Sequence, residues 1–259
     1  MTEPVHKKRG VHPPRPVHHT RSLHFFPGDH RLLWIVDDKV AIDSEAWGGE
    51  RPAPGDKPDP VMKPRRTTPG VYTIFSYAPT ETTTWVWSEI AWGTRLRVDP
   101  ATLDVLVERP ARRGGKHWVR STAVDPFFTR ERIRRRYYQL YGESFQYDSD
   151  RDYVPDIWVF NDFGPMSVRY YKDVNHDGKL DDGEKLSGEM LHTTPDNEAQ
   201  LVRPDQSLQF STSHGCIHMD PRVRESLAAA GAFARGVTLV VHRYDTKVPP
   251  AWQPALELR

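Results

Sequence analysis

Short apolar blocks and alternating apolar and polar residues recur along most of the chain, and both patterns are typical of β-strands. Residues 32–36 form an apolar block, residues 37–39 a polar turn and residues 40–42 a second apolar block, which predicts a β-hairpin. The same patterns predict further strands at 71–74, 83–92, 158–160, 166–171, 188–191 and 236–242. We therefore expect a mostly β fold.

Two segments have the spacing of an amphipathic helix instead. Residues 129–142 place arginines around a few apolar residues and end at Gly142, a natural stop for a helix. Further along, Asp220 and Pro221 supply an N-cap and a first helical residue for an amphipathic helix that carries Val223, Leu227 and residues 228–230. The basic face of the first helix is either solvated or a docking surface for an anionic partner, such as a protein or an acidic glycan-peptide.

The ends of the chain and one internal segment have the composition of loops. Residues 1–24 are rich in histidine, proline and basic residues, which predicts a flexible tail that binds metal at most through its histidines. Prolines and glycines are dense at 48–64, which predicts a long surface loop. With a second tail at 246–259, the folded domain is expected to span 25–245.

Composition bounds the classes of function. A chain of 259 residues, 37% hydrophobic and 27% charged, suffices for one sizeable core. Its formal net charge of +1 does not favour nucleic acid as a partner. No apolar run approaches the roughly 18 residues that span a membrane, and one cysteine cannot form an intrachain disulfide. Residues 1–24 lack the apolar stretch of a secretory signal peptide.

The single cysteine, Cys216, lies between His214 and His218 and directly after Gly215. A thiol becomes a strong nucleophile where an adjacent base or a positive field favours its thiolate. The helix predicted from Pro221 would supply such a field just after the cysteine, through its free amides and the positive end of its dipole. Gly215 would let a substrate approach closely. Two alternatives remain: the three side chains share one face of a strand and bind zinc, or Cys216 is an ordinary buried residue.

Residues 213–217 read Ser-His-Gly-Cys-Ile, which resembles the signature of the L,D-transpeptidase (YkuD-type) catalytic domain. In that family a second histidine lies upstream and is followed by a small or hydroxyl residue, and His192 and Thr193 stand at that place here. The chain departs from the family pattern twice. The interval from His192 to Ser213 is longer than usual, which predicts an enlarged loop over the site, and His218 stands where Arg or Asn is common.

A second segment, residues 67–74, resembles the family's Thr-Pro-x-Gly-x-aromatic landmark, with Thr68 where proline is usual. The resemblance spans roughly residues 23–244. It implies a mostly β, sandwich-like catalytic domain with a few helices, one of them behind the nucleophile.

The same resemblance implies cysteine-dependent acyl transfer on peptidoglycan stem peptides. The thiol attacks the amide before the terminal D-Ala, the upstream histidine accepts the thiol proton, nearby amides stabilise the oxyanion, and a thioester forms. An amine then resolves the thioester in transpeptidation or D-amino-acid exchange, and water resolves it in carboxypeptidase or endopeptidase action. The implied location is the cell envelope, the periplasm or outside the cell. The expected catalytic residues are Cys216, His192, His214 and Gly215, and the expected substrate-binding residues are Ser213, Thr193 and His218.

Two other functions stay open from the sequence. One is a zinc-dependent hydrolase or metal-binding module that uses His192, His214, Cys216 and His218. The other is a secreted antibacterial effector with the same acyl-transfer chemistry.

Residues 173–184 match the twelve-residue pattern of a calcium-binding loop, with oxygen ligands at alternate positions, glycine sixth and glutamate twelfth. The flanks are predicted strands, so we expect a structural Ca²⁺ site on a β-hairpin that helps to position the strand of His192. A plain acidic turn is the alternative, and no cofactor is expected for catalysis. The ligands would be Asp173, Asn175, Asp177, the Lys179 carbonyl, Asp181 through water, and Glu184.

Overall fold

The computed structural model describes residues 20–50, 65–203 and 206–253. Eleven strands and four α-helices make up this part of the chain, with helical 3₁₀ turns at Val86–Ser88 and Pro250–Trp252. In chain order the strands are β1 Arg21–Phe26, β2 Arg31–Val36, β3 Lys39–Trp47, β4 Gly70–Ala78, β5 Leu96–Val98, β6 Val105–Pro110, β7 Lys116–Arg120, β8 Ser167–Tyr171, β9 Leu186–His192, β10 Ile217–Met219 and β11 Thr238–Val241. The helices are α1 Ser121–Val124, α2 Arg130–Tyr141, α3 Pro195–Leu201 and α4 Pro221–Ala229.

Eight strands close into a barrel in the order β1-β11-β4-β8-β9-β10-β3-β2, and β5, β6 and β7 form a separate three-stranded sheet. The mostly β fold is confirmed, whereas the expected sandwich is wrong. Closure arises because β1 pairs with both β2 and β11, and β10 with both β3 and β9. Strands of a sandwich and of a barrel alternate inward and outward residues alike, so the sequence pattern does not separate the two architectures.

Side chains from alternate strand positions fill the barrel, as in other eight-stranded barrels. Leu23, Trp34, Leu191 and Ile217 are among its fully buried residues. A second apolar cluster lies beneath α2 and the small sheet, and it contains Ile133, Tyr137, Leu140, Trp158 and Phe160.

The predicted helices are both confirmed. Thr129 caps α2 by accepting a hydrogen bond from the Arg132 amide, and Gly142 ends the helix with a φ of 58°. Asp220 caps α4 by accepting from the Arg222 amide. The hairpin of β2 and β3, and the strands predicted at 71–74, 166–171, 188–191 and 236–242, are confirmed as well.

Two predicted strands are wrong. Residues 83–92 contain turns and the 3₁₀ segment Val86–Ser88, and residues 158–160 join no ladder. Their aromatic residues pack together instead: the rings of Trp87 and Trp158 lie 5.8 Å apart, and Trp158 Nε1 donates to the Trp87 carbonyl. Alternating aromatics therefore mark a packed cluster here, because ring burial does not require a pleated backbone.

The predicted tails are too long at their inner ends. Residues 1–19 lie outside the described residues, but residues 21–24 belong to β1, which the barrel needs for closure. At the other end Val248 is buried and the Trp252 ring lies 4.9 Å from the His24 ring, while residues 254–259 lie outside the described part. Of the loop predicted at 48–64, residues 51–64 are not described. None of the described helices has the length and apolar content to cross a bilayer.

Candidate functional site

The parallel pairing of β9 and β10 brings the two histidines of the expected site together. His218 lies beside His192 in the register, and Ile217 lies beside Leu191. Because Ile217 and Leu191 fill the barrel core, alternation turns His192, His218 and Cys216 to the outer face of the wall.

A cavity of about 220 Å³ opens on this face. Its lining includes five residues of the expected site, Cys216, His192, His218, Ser213 and His214, and their neighbour Thr212. Five of the seven expected residues therefore meet at one cavity. Thr193 and Gly215 do not line it, and both are buried.

His192 is held as a neutral imidazole with a fixed tautomer. Its Nδ1 lies 2.7 Å from the Thr193 carbonyl oxygen, and a carbonyl can only accept, so Nδ1 carries the proton and Nε2 keeps a free lone pair. Burial, with a smaller effect from His218, lowers the pKa of His192 to about 3. The imidazole is uncharged at neutral pH as a result.

His218 has the same arrangement one strand away. Its Nδ1 donates to the Ser211 carbonyl at 3.1 Å, and its ring centroid lies 4.9 Å from that of His192. Burial lowers the pKa of His218 to about 4. The residue that stands in place of the family's usual Arg or Asn is therefore neutral, and it offers no positive charge to a substrate carboxylate.

Cys216 is partly exposed and protonated at neutral pH. Burial raises the pKa of its thiol, and the opposing hydrogen bond from the Met190 amide does not reverse this direction. The helix field predicted for Cys216 is wrong, because the cysteine lies five positions before the first residue of α4, with β10 between them, roughly 16 Å of extended chain. A helix dipole acts mainly within its first turn, so α4 does not create a thiolate here.

The backbone around the cysteine is tied into a fixed turn. Ser213 Oγ donates to the Cys216 carbonyl and accepts from the Gly215 amide at 3.1 Å. The Gly215 amide, expected among the oxyanion donors, is thus already engaged. Gly215 has a φ of 115°, and a Cβ there would lie 3.1 Å from Glu189 Oε1. Only glycine fits this position without strain.

Glu189 explains why threonine can replace proline at position 68. The carboxylate is buried, and it accepts hydrogen bonds from the Thr68 amide at 3.1 Å and from Thr68 Oγ1 at 2.7 Å. Proline could make neither bond. The second landmark segment is thereby joined to the Gly215 turn through one side chain.

A buried ion pair supports the segment that follows His192. Thr193 Oγ1 donates to Glu198 Oε1 at 2.6 Å, and Arg224 of α4 pairs with the same Glu198 oxygen. The Thr193 carbonyl accepts a hydrogen bond from His192 Nδ1, so the ion pair fixes the residue that orients the imidazole. Sequence reasoning missed this network, since its members lie 5 and 31 positions from Thr193 and carry no motif.

The remaining cavity lining was also missed. It consists of Trp85, Asp162, Phe163, Thr194, Pro195 and Asp196. Trp85 precedes the 3₁₀ turn that was predicted as a strand, and Asp196 lies in the first turn of α3. One sequence signal could have found part of this lining: Pro195 after Thr194 marks the start of a helix three positions after His192.

The acidic loop of residues 173–184 folds by pairing carboxylates with its own amides. Asp173 Oδ2 accepts from the Gly178 amide at 2.8 Å, and Glu184 accepts from the amides of Val174 and Asp181. Asp173 Oδ1 is buried without a partner, which fits a hard cation that binds oxygen. To ligate such a cation, Glu184 would have to leave its two amides. The β9 strand that follows the loop confirms the predicted flank.

The structure gathers neither the residues expected for zinc nor the carboxylates expected for calcium into a group of three. Among the described His, Cys, Asp and Glu side chains, Asp148, Asp150 and Asp152 form the one group in which three ligand atoms lie within 4.8 Å of one another. Two of its members already have partners, because Asp148 accepts from the amides of Asp152 and Tyr153, and Asp152 pairs with Arg130 at 2.6 Å.

The basic helix α2 uses much of its charge within the chain. Arg130 pairs with Asp152, Arg135 with Glu131 at 2.8 Å, and Arg136 with Asp196 at 3.7 Å. A partner at this surface stays a prediction.

No family model matches the chain, and no curated protein or solved structure matches it.

Proposed function

We propose that the chain is an L,D-transpeptidase-like acyltransferase of peptidoglycan stem peptides, with Cys216 as nucleophile and His192 as base. The observation that carries the proposal is the meeting of the thiol and a tautomer-fixed imidazole at one cavity, with His192 at the end of β9 and Cys216 directly before the parallel strand β10. A pure binding module has no need of this pair. The substrate places the protein in the cell envelope, the periplasm or outside the cell.

The protonation states favour general-base attack over a preformed thiolate. The thiol proton moves to His192 Nε2 as Sγ bonds to the carbonyl carbon, because burial opposes a separate thiolate–imidazolium pair. The tetrahedral intermediate then breaks its C–N bond, the D-Ala nitrogen takes the proton from Nε2, and a thioester remains on Cys216. An amine or water attacks the thioester and returns the proton to the thiol. No described hydrogen bond joins Sγ to His192, and substrate binding brings such pairs into reach.

Release of D-Ala from a stem tetrapeptide tests the mechanism. Cys216→Ala should abolish release, and His192→Asn, which keeps a donor for the Thr193 carbonyl, should lower its rate by about 10²- to 10⁴-fold. The double variant should be no slower than Cys216→Ala, since nucleophile and base act as a unit. The matched control is His117→Asn, on exposed strand β7. Release by Cys216→Ala at the wild-type rate would overturn the proposal.

A carbapenem offers a substrate-independent check. Its strained amide should acylate Cys216, and the mass of the intact protein should rise by one drug molecule in wild type and not in Cys216→Ala. An unmodified mass for enzyme that releases D-Ala would contradict the family assignment.

We also propose that residues 173–184 bind a structural Ca²⁺, supported by the unpartnered Asp173 Oδ1 and the complete ligand pattern. The ion takes no part in the acyl-transfer step. Its site ends two residues before β9, so an ordered loop would steady the strand that carries His192.

A further inference from the structure

Two histidines on the outer face of the barrel wall have no part in the proposed reaction. His24 lies on β1, and His242 directly follows β11, the parallel neighbour of β1. The His24 Nδ1 atom lies 3.0 Å from the His242 Nε2 atom. Neither residue lines the cavity at Cys216, and both side chains are partly exposed to solvent. The pair is therefore separate from the site described above.

The two imidazole rings are held in place by their neighbours. The His242 ring stacks on the Phe26 ring with centroids 3.9 Å apart, and the Trp252 ring meets the His24 ring edge-on at 4.9 Å. The His242 amide donates to the Phe25 carbonyl at 2.9 Å, so the backbone is fixed as well. Packing of this kind keeps the two nitrogens facing each other, which is the preorganisation that a metal site needs.

Ser22 supplies the outer hydrogen-bond partner that metal-binding histidines almost always have. Its Oγ lies 2.9 Å from His24 Nε2 and can accept the N–H of that ring nitrogen. With the proton on Nε2, the Nδ1 atom keeps its lone pair on the side of His242. A hydrogen bond to the second ring nitrogen fixes the tautomer and the orientation of a metal-ligating histidine in the same way. The hydroxyl and the short distance between the two nitrogens both favour an ion between the rings.

The spacing of the two nitrogens is close to that of a tetrahedral zinc site. Zn–N bonds of about 2.0–2.1 Å at a tetrahedral angle place two nitrogens about 3.3 Å apart, so the observed 3.0 Å would have to open by roughly 0.3 Å. A proton on His242 Nε2 would move through solvent to Nδ1 of the same ring, which leaves the imidazole in the neutral form that binds metal. No third described His, Cys, Asp or Glu joins the pair, so water would fill the remaining positions.

We propose that His24 and His242 bind a divalent metal ion of the class that prefers imidazole nitrogen, with Ser22 orienting His24. Imidazole suits Zn²⁺, Cu²⁺ and Ni²⁺, whereas Ca²⁺ and Mg²⁺ prefer oxygen ligands, so this ion differs in kind from the one proposed for residues 173–184. Bound there, it would tie β1 to the segment that follows β11. The site takes no part in acyl transfer and does not rest on the proposed function.

Titration calorimetry with Zn²⁺ at pH 7.5 tests the pair. The wild-type protein should bind one more Zn²⁺ ion per chain than the double variant His24→Gln/His242→Gln. Each single histidine variant should weaken this site by at least about tenfold, since loss of an outer partner alone weakens metal binding by about 10- to 100-fold. Ser22→Ala keeps both imidazoles and should weaken the site by about tenfold. The control is His117→Gln, on exposed strand β7, which should bind like wild type.

Melting temperatures show whether the ion binds the folded barrel. Excess Zn²⁺ should raise the melting temperature of wild type and of His117→Gln by more than that of the double variant, because an ion that binds the native state stabilises it. Melting without metal separates lost binding from lost folding. If a histidine variant does not fold, Ser22→Ala decides, and a zinc affinity equal to that of wild type would count against the pair. Absence of Zn²⁺ binding by wild type, or equal stoichiometry and equal melting shifts in wild type and the double variant, would overturn the inference.

Discussion

Acidification should destabilise the folded protein through the two buried histidines of the site. His192 and His218 have pKa values of about 3 and about 4 in the fold, whereas an unfolded chain protonates histidine near 6.5. At pH values between these limits, the two histidines are protonated in the unfolded chain and stay neutral in the native protein. Stability is therefore fully present above about pH 6.5 and is lost as the pH falls towards 4 and then 3.

The size of the loss at pH 5 hardly depends on the folded pKa values. Each unfolded histidine gains RT ln(1 + 10^(6.5−5)), about 2 kcal/mol, while each native imidazole stays almost unprotonated. Together the two residues should remove about 4 kcal/mol between pH 8 and pH 5, a large share of the stability of an ordinary domain. The His24–His242 pair, joined by a 3.0 Å hydrogen bond, adds a loss of the same sign because the pKa of His24 is lowered to about 4.

Urea unfolding at pH 8 and pH 5 measures these losses. His192→Asn and His218→Asn should each shrink the difference between the two pH values by about 2 kcal/mol relative to wild type. The exposed His117→Asn should leave that difference unchanged, and the contribution of the His24 pair cancels in the comparison. If His192→Asn loses as much stability as wild type on acidification, His192 is not a buried neutral imidazole in the folded protein.

Contacts next to the site should also set the effects of three further changes. Gly215→Ala should lower the free energy of unfolding by about 1–3 kcal/mol more than Gly93→Ala. Both glycines have a positive φ, but only at Gly215 would a Cβ lie 3.1 Å from Glu189. Equal losses in the two variants would show that the close contact has no effect on stability. Glu198→Gln breaks the buried pair with Arg224, so it should lower the free energy of unfolding in urea by about 3 kcal/mol and slow D-Ala release at saturating substrate. Glu225→Gln removes the exposed partner of Arg224, so it should lower that free energy by about 1 kcal/mol or less and leave the rate unchanged. Calcium at a hundredfold excess over its Kd should stabilise wild type by about 2.7 kcal/mol and should not stabilise Glu184→Ala. Melting temperatures with calcium and with chelator measure the difference. Equal melting temperatures for wild type in the two conditions would mean that the loop is a plain acidic turn.

The sequence predicts those parts of the molecule that depend on local chemistry. Thr129 and Gly142 mark the ends of α2, and alternation around residues 188–191 marks β9, because caps and pleats depend on near neighbours. The barrel could not be predicted, since its closure depends on the pairing of β1 with β11, more than 200 residues apart. The sequence identified Cys216, His214 and His218 because cysteine and histidine are uncommon residue types and these three lie within five positions.

The environment of those motif residues could not be read from the sequence. Burial makes Cys216 a thiol, although two histidines flank it in the chain, and β10 removes the helix field that the adjacent Asp220-Pro221 suggested. Glu189 and Glu198 support the site from distant positions, where a lone glutamate in the sequence has no distinguishing mark.

The most direct measurement is the mass of the intact protein after brief reaction with a stem tetrapeptide and an acid quench. We expect wild type to carry a tripeptidyl group, with peptide mapping placing it on Cys216, and hydroxylamine to remove it as it does a thioester. His192→Asn should accumulate the same group much more slowly, and Cys216→Ala should carry none. An acyl group on another residue, or D-Ala release by Cys216→Ala, would contradict the central claim.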